Sequence, residues 1–334
     1  MYSAIQFIGT QRSGSNLLRV TLDQFPEVFG PHPPHILVTF YPLLKYYGDL
    51  EQSSNFSKLI DDICKLIELN PVPWEGIHLN RKKIFSRCRR RTLLEAFIQI
   101  HEIICIENSK SVWCCKSMES LYLFDKYREE GFEPLYLYLY RDGRDVALSF
   151  KKAIVGEKHI YNLATKWKAD QEACLKELEI LPSNRYIKIK YEDYIANPPF
   201  FIDEICKRIG LIYNNAIENF HSSEESKRTA AGGKMWENVT KPLIKNNYGK
   251  FLKELPSEDV TIFEAVAGDT LIKLGYQLYQ LKPGETKHFS PETIAGFNNE
   301  NTHLKQQILI ELPPEDLLKR KLQSDFIATI KNYA

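Results

Sequence analysis

Apolar and polar positions along the chain alternate between two periods. Ala4 to Ile8 is a short apolar run of strand length, followed by the small-residue turn Gly9 to Gly14 and by Leu17, Leu18, Thr21, Leu22 and Phe25 at helical spacing. The same succession recurs. Ser111 to Ser117 reads as a buried strand with a polar tip, and Leu121, Phe124 and Tyr127 as a helix closed by Gly131. Leu135 to Tyr140 is a strand, after which Asp142 to Asp145 opens a helix through Val146, Ala147 and Phe150. Tyr161, Ala164, Trp167, Gln171, Cys174 and Leu178 form one helical stripe, Tyr186 to Tyr191 a strand, and Ile202 to Ile209 a helix stopped by Gly210. Phe56 to Leu69, Thr92 to Ile106 and Asp259 to Tyr276 add helices. Strands alternating with helices predict an α/β fold, its central sheet mainly parallel and flanked by helices.

Two segments break the rhythm. His221 to Lys234 is rich in Ser, Glu, Lys, Arg, Ala and Gly and reads as a flexible basic loop, long enough to be functional. Beyond Pro283 the chain is Asn-, Glu- and Lys-rich until an amphipathic stretch from Ile308 to Ile330, read as an appendage. The domain expected is 1–281, with 282–334 a C-terminal extension packed on it.

Charge changes the picture locally rather than globally. Lys and Arg number 44 against 43 Asp and Glu, so no overall basic field points to nucleic acid, and any anion site must be local. The runs Arg81 to Lys83 and Arg87 to Arg91 read as a solvated helix face. The seven cysteines are odd in number and scattered, which suits neither a disulfide framework nor a zinc knuckle. The start of the chain lacks the features of a signal peptide, and no apolar run approaches the ~20 residues of a membrane span. The expected location is the cytoplasm.

Candidate chemistry gathers at the strand ends. A strand, a glycine-bounded loop and a helix N-terminus converge backbone N–H groups on one point, which suits a phosphate. Gly9 and Gly14 have the spacing of a Walker A loop, yet Ser15 stands where that motif has Lys, and the basic residue is Arg12 inside the loop. At the end of the Leu135 strand, where a Mg²⁺-dependent P-loop enzyme commonly places Asp, stands Arg141, with Ser149 two helical turns on. Ligands in open α/β sheets collect beyond these carboxyl ends. An anion site without metal is the expectation. The loop Pro31-His32-Pro33-Pro34-His35 holds two imidazoles on a stiff backbone, fit to exchange a proton near neutral pH or merely to cap the next helix. Lys227, Arg228 and Lys234 flank glycines fit to close over a phosphate.

Together these motifs resemble the sulfotransferases that use 3′-phosphoadenosine 5′-phosphosulfate, over roughly residues 4–280. Gly9-Thr10-Gln11-Arg12-Ser13-Gly14-Ser15-Asn16 is similar to that family's 5′-phosphosulfate loop, and Tyr140-Arg141-Asp142-Gly143-Arg144-Asp145-Val146-Ala147-Leu148-Ser149 to its 3′-phosphate signature. The resemblance implies a P-loop NTPase-like sulfotransferase fold and a donor bound by Gln11, Arg12, Ser13, Gly14, Ser15, Asn16, Arg141 and Ser149. Loop contacts come from Arg228 and Lys234, where the family's closing motif is only approximated. It implies Arg12 and Lys116 stabilising the transferring group, no metal, and 3′,5′-adenosine bisphosphate as product. Where many members carry Lys-Thr-His this chain reads Lys116-Ser117-Met118, and a methionine cannot accept a proton. The expected base is therefore His35 or His32, with His35 ahead and His159 in reserve. The acceptor is a hydroxyl or amine of a small molecule, glycan or lipid. Two alternatives stay open on the same residues: a kinase or triphosphatase using ATP or GTP with Mg²⁺, and a catalytically silent nucleotide-binding protein.

Overall fold

The computed structural model describes residues 3–285, 287–311 and 314–333. Five strands, β1 (Ala4–Ile8), β2 (Val28–Phe29), β3 (Val112–Cys115), β4 (Leu135–Tyr140) and β5 (Tyr186–Lys190), form one sheet in the order β2-β3-β1-β4-β5. All pairings are parallel, with Ile8 opposite Tyr138 and Tyr140 opposite Lys190. From β1 the chain turns toward β2 and β3, whereas from β4 it turns the other way to β5. The point where direction reverses lies between β1 and β4, and the crevice beyond it is where such sheets bind ligands.

Both faces of the sheet are covered, as a parallel sheet requires. The helices that matter for the site are α1 (Ser15–Leu22), α2 (Ile36–Phe40), α3 (Ser53–Glu68), α4 (Leu93–Glu107), α5 (Gly143–Lys151), α6 (Ile160–Leu178), α7 (Pro198–Ile209), α8 (Glu224–Ala231), α9 (Ser257–Lys273), α10 (Pro291–Glu311) and α11 (Pro314–Ile330). Period-two alternation divides each strand between two cores. Ile5, Phe7, Leu135, Leu137 and Leu139 pack with Leu18 and Leu22 of α1 and Ile202 and Ile205 of α7. Ile8, Trp113, Tyr136 and Tyr138 pack with α2, α3, α4, α6 and α9 on the other face.

Buried polar bonds hold the strand ends in register. Gln6 donates to the carbonyls of Cys115 and Ser117 (both 3.2 Å) and so fixes the tip of β3 beside β1. Tyr138 donates to Gln171 of α6 (2.6 Å), and Gln171 donates to Thr10 in the glycine loop (2.8 Å). In a dry interior such satisfied links are rigid.

Two segments depart from the sequence expectation. His221 to Lys234 is largely the helix α8, with the Ser223 side chain accepting from the N–H of Ser226 at its start. Its Ala, Glu, Lys and Arg are helix formers, and Glu224 and Glu225 suit a helix N-terminus. The C-terminal stretch is two helices rather than one, divided between α10 and α11, and α10 begins well before Ile308. These helices touch the rest of the chain: Phe326 and Ile330 are buried in the larger core, and the Asn301 side chain accepts from the N–H groups of Lys158 (2.7 Å) and His159 (3.0 Å). Among the described residues no helix is long and apolar enough to cross a membrane.

Candidate functional site

The loop between β1 and α1 is set by close backbone approach. Gly9 has φ +122°, and a Cβ there would lie 2.3 Å from the Leu139 carbonyl oxygen. Gly14 has φ +90°, and a Cβ would lie 2.4 Å from the Tyr191 ring. Arg12 adopts φ +70°, a left-handed conformation that a long L side chain rarely takes. Gly14 caps α1 without a side-chain hydrogen bond, so the first N–H groups of that helix face outward. Ser13 Oγ is buried beside them without a partner. Orphaned donors of this kind suit an anion.

The loop forms one wall of a cavity of about 1270 Å³ that Arg12, Ser15, Asn16, His32, His35, Lys116, Arg141, Ser149 and Lys234 also line. Arg12 donates through Nε to Ser149 Oγ (3.1 Å) and through Nη2 to the Met235 carbonyl (3.1 Å). Burial, and then the charge of Arg141, bring its pKa down to about 10. Arg141 donates to the carbonyls of Arg12 (3.4 Å) and Asn247 (2.8 Å) and lies over the Tyr191 ring at 4.5 Å. Its Nε is buried and unpartnered. Asp145, the carboxylate beside it at 3.8 Å, already accepts from the N–H groups of Gly249 and Phe251.

Lys116 follows the tip of β3. It is buried, and burial followed by the charges of Arg19 and Arg12 lowers its pKa to about 7. Among the described residues neither Arg12 nor Lys116 pairs with a carboxylate. A buried or half-buried cation left unneutralised is costly, and such an arrangement suits an anionic ligand.

The two loop histidines reach the same cavity. His32 is buried with both ring nitrogens unpartnered and packs edge-on against Trp236 at 4.8 Å. Burial, and then Lys116, hold its pKa well below the usual imidazole range. His35 is only half-buried and takes φ +59° at the start of α2, so the prolines before it and the helix after it fix its direction. Burial and Lys116 lower its pKa to about 4. It is therefore neutral at pH 7, and a weak base until an anion offsets the charge of Lys116.

Other sequence candidates lie elsewhere. Arg228 sits on α8, paired with Glu225 (3.1 Å) and Glu75 (3.3 Å), and does not line the cavity. His159 caps α6, accepting from the N–H of Tyr161, and stacks on Phe297 of α10 at 4.5 Å. It too is absent from the cavity wall. Arg144, three residues past Arg141, is buried between Asp142 and Glu264. Conversely, sequence reading missed Tyr191 and Asn247, and the contribution of α11 through Arg320, Gln323 and Ile327, while Trp236, which ends the approximated closing motif, does line the cavity. Tyr191 stands at the carboxyl end of β5, where the strand-end rule points; nothing local marks α11.

A family model described as the sulfotransferase family matches residues 5–215. No curated protein matches the chain. Among solved structures, the sulfotransferase domain of the Synechococcus PCC 7002 olefin synthase is similar at TM-score 0.53 and 18% identity, covering 83% of this chain and 95% of that one. The sulfotransferase domain from the curacin biosynthetic pathway is similar at TM-score 0.54 and 17% identity, covering 84% of this chain and 99% of that one. At this identity the likeness is one of fold.

Proposed function

We propose, from the premise that the chain belongs to the sulfotransferase family, that it moves a sulfuryl group from 3′-phosphoadenosine 5′-phosphosulfate to a hydroxyl or amine, with His35 as general base. The observation that carries this reading is the set of cations in one cavity: Arg12, Lys116 and Arg141 converge at the sheet's reversal point, and among the described residues no carboxylate pairs with Arg12 or Lys116. The donor supplies an activated sulfuryl group and phosphates at two places on its adenosine. Ser13, Ser15, Asn16 and the open N-terminus of α1 suit the 5′ end, and Arg141 with Ser149 suits the 3′-phosphate.

In this reading His35 takes the acceptor proton as the acceptor oxygen or nitrogen bonds to sulfur and the bond from sulfur to the phosphate oxygen breaks. Arg12 and Lys116 face the negative charge growing on that leaving oxygen. The bond between Arg12 and Ser149 is exchanged for bonds to the donor. His32, more deeply buried against Trp236, is the second imidazole of the same wall.

The test is calorimetric titration with 3′,5′-adenosine bisphosphate in the absence of Mg²⁺, followed by mass spectrometry of small molecules sulfated in a cell extract supplied with labelled donor. Binding and a sulfated product are expected, and His35→Ala should lower turnover by about 10²–10⁴-fold, the range of a lost general base. Absence of binding, or Mg²⁺-dependent ATP turnover, would sink the donor assignment. Binding with no product from any acceptor would leave a silent nucleotide-binding protein.

A further inference from the structure

The cavity is built from two parts of the chain. Arg12, Lys116, Arg141 and Ser149 stand within the stretch 5–215 that matches the family. A further wall comes from α11, outside that stretch, through Arg320, Gln323 and Ile327. Their spacing of three and then four residues puts them on one helix face.

α11 is fastened on the side of the histidines. Gln323 donates to the Leu66 carbonyl near the end of α3 (3.1 Å), the Lys65 ammonium lies over the Phe326 ring at 4.7 Å, and Tyr333 meets the Tyr47 ring at 5.8 Å. α3 packs in turn on α2, the helix that His35 caps. Trp236 joins the two walls: its ring takes His32 edge-on at 4.8 Å and carries the Arg320 guanidinium at 5.8 Å from its centroid. After burial, Lys116, Arg19 and His35, the charge of Arg320 is the next to hold the His32 imidazole neutral. Arg320 therefore belongs to the histidine end of the cavity, where the acceptor is expected.

What this wall binds follows from its chemistry. A guanidinium presents parallel N–H donors whose complement is a carboxylate or a phosphate. The carboxylates among the described lining residues are Asp145 and Glu237, and both serve the protein: Asp145 accepts from the N–H groups of Gly249 and Phe251, and Glu237 pairs with Lys241 at 3.4 Å. Ile327 and the Trp236 ring add apolar surface to the same wall. An apolar wall with one placed charge fixes the orientation of a small ligand.

We propose that Arg320 selects the acceptor by binding an anionic group on it, a carboxylate or phosphate, while the acceptor's hydroxyl or amine faces His35. Ile327 and Trp236 flank the apolar body between the two groups. The acceptor is then an acid or phosphate ester that also carries a hydroxyl or amine, in preference to a neutral alcohol. That it is an acceptor at all rests on the sulfotransferase reading; the anion contact does not.

The experiment is calorimetric titration of the full chain, saturated with 3′,5′-adenosine bisphosphate, with para-hydroxyphenylacetate, para-hydroxyphenyl phosphate and neutral para-hydroxyphenylacetamide. At least one anionic probe should bind about tenfold or more tightly than the amide, the low end for a charge-assisted bond, and the tighter of the two identifies the group. Arg320→Gln should bring all three probes within about twofold of one another and leave bisphosphate affinity within about twofold of wild type. Equal affinities for the three probes, binding of none of them, or a preference that survives Arg320→Gln overturns the proposal. So does a loss of about tenfold or more in bisphosphate affinity in the variant, which would make Arg320 a donor contact. Failure of the wild type to bind bisphosphate removes the donor reading alone. The same probes on the free protein then decide the anion contact, which stands if the preference is present and lost with Arg320→Gln and falls otherwise.

Discussion

Two sets of buried or half-buried arginines lie within a few residues of each other and meet opposite fates. Arg19 and Arg144 are each matched: Arg19 pairs with Glu225 and donates to Thr229 and the Gly30 carbonyl, and Arg144 lies between Asp142 and Glu264. Arg12 and Arg141 bond mainly to carbonyls and a serine; Arg12 has no carboxylate partner among the described residues, and Arg141, whose nearest carboxylate is Asp145 at 3.8 Å, keeps an unpartnered Nε. Arg141 and Arg144 are separated by less than one helical turn, so composition and local structure do not tell them apart. Neutralisation does. A matched buried cation holds the fold together, whereas an unmatched one stores a desolvation cost that an anion relieves.

The largest effect expected on the matched side is Arg144→Ala. Removing the guanidinium leaves Asp142 and Glu264 buried without their partner, a loss of about 3–5 kcal/mol for a broken buried pair. Denaturant titration should show this loss, while calorimetry on the folded protein should show bisphosphate affinity within a factor of about two, as expected of a side chain that binds only protein. A large loss of affinity at unchanged stability would erase the distinction.

Arg141→Ala should do the reverse. One charge-assisted contact is worth about 1.5–3 kcal/mol, so affinity for 3′,5′-adenosine bisphosphate should fall about 10- to 100-fold. Stability should change little, because the desolvation cost removed with the guanidinium offsets the loss of its 3.8 Å pairing with buried Asp145, which still accepts from the N–H groups of Gly249 and Phe251. Affinity unchanged by this substitution would end the 3′-phosphate assignment.

Lys116 sharpens the comparison through pH. Its pKa in the free protein is about 7, depressed from 10.5 chiefly by burial. A bound anion favours the ammonium form and raises that pKa, so binding takes up a proton above pH 7. Bisphosphate affinity should be highest below pH 7 and fall as pH rises through 7 toward the raised value in the complex, by at most about tenfold per pH unit for one proton. Lys116→Met should flatten this slope while leaving that from other groups. A slope of opposite sign in the wild type would show that Lys116 does not face the anion.

The legible part of the fold was the part written in local periods. The Leu135 to Tyr140 alternation assigns both faces of β4, and Gly9 and Gly14 are demanded by positive φ and by contacts a Cβ would not permit. The strand-end rule places Arg12, Lys116 and Arg141 in one crevice because that rule follows from topology. Illegible residues were those whose meaning comes from a distant partner. His159 looked like an available imidazole, yet Phe297 and the Tyr161 N–H use it as packing and cap. The α10 helix hides behind Asn301, a buried polar residue in the middle of its inner face, which breaks the apolar stripe that would have announced it. α8 was misread from composition, although Ser223 followed by two glutamates was a capping signal.

Arg228 is the smallest expected effect and the most direct test of what basic composition means. Its place in the sequence, near Gly232, Gly233 and Lys234, suggests a phosphate contact, although the closing motif there is only approximated. In the fold it is about one-third exposed and already shared between Glu225 and Glu75, at 3.1 and 3.3 Å. Such partly solvated pairs contribute about 0.2–1 kcal/mol, so Arg228→Ala should move the denaturation midpoint only slightly. Glu225 keeps its bond to Arg19, so the anchoring of α8 on α1 survives the loss. Bisphosphate affinity should change less than about twofold, the scale of a surface substitution away from the site. Should the variant instead lose tenfold or more in affinity at unchanged stability, Arg228 must leave its carboxylates to meet the anion, and neutralisation in the free protein would no longer separate structural cations from binding ones.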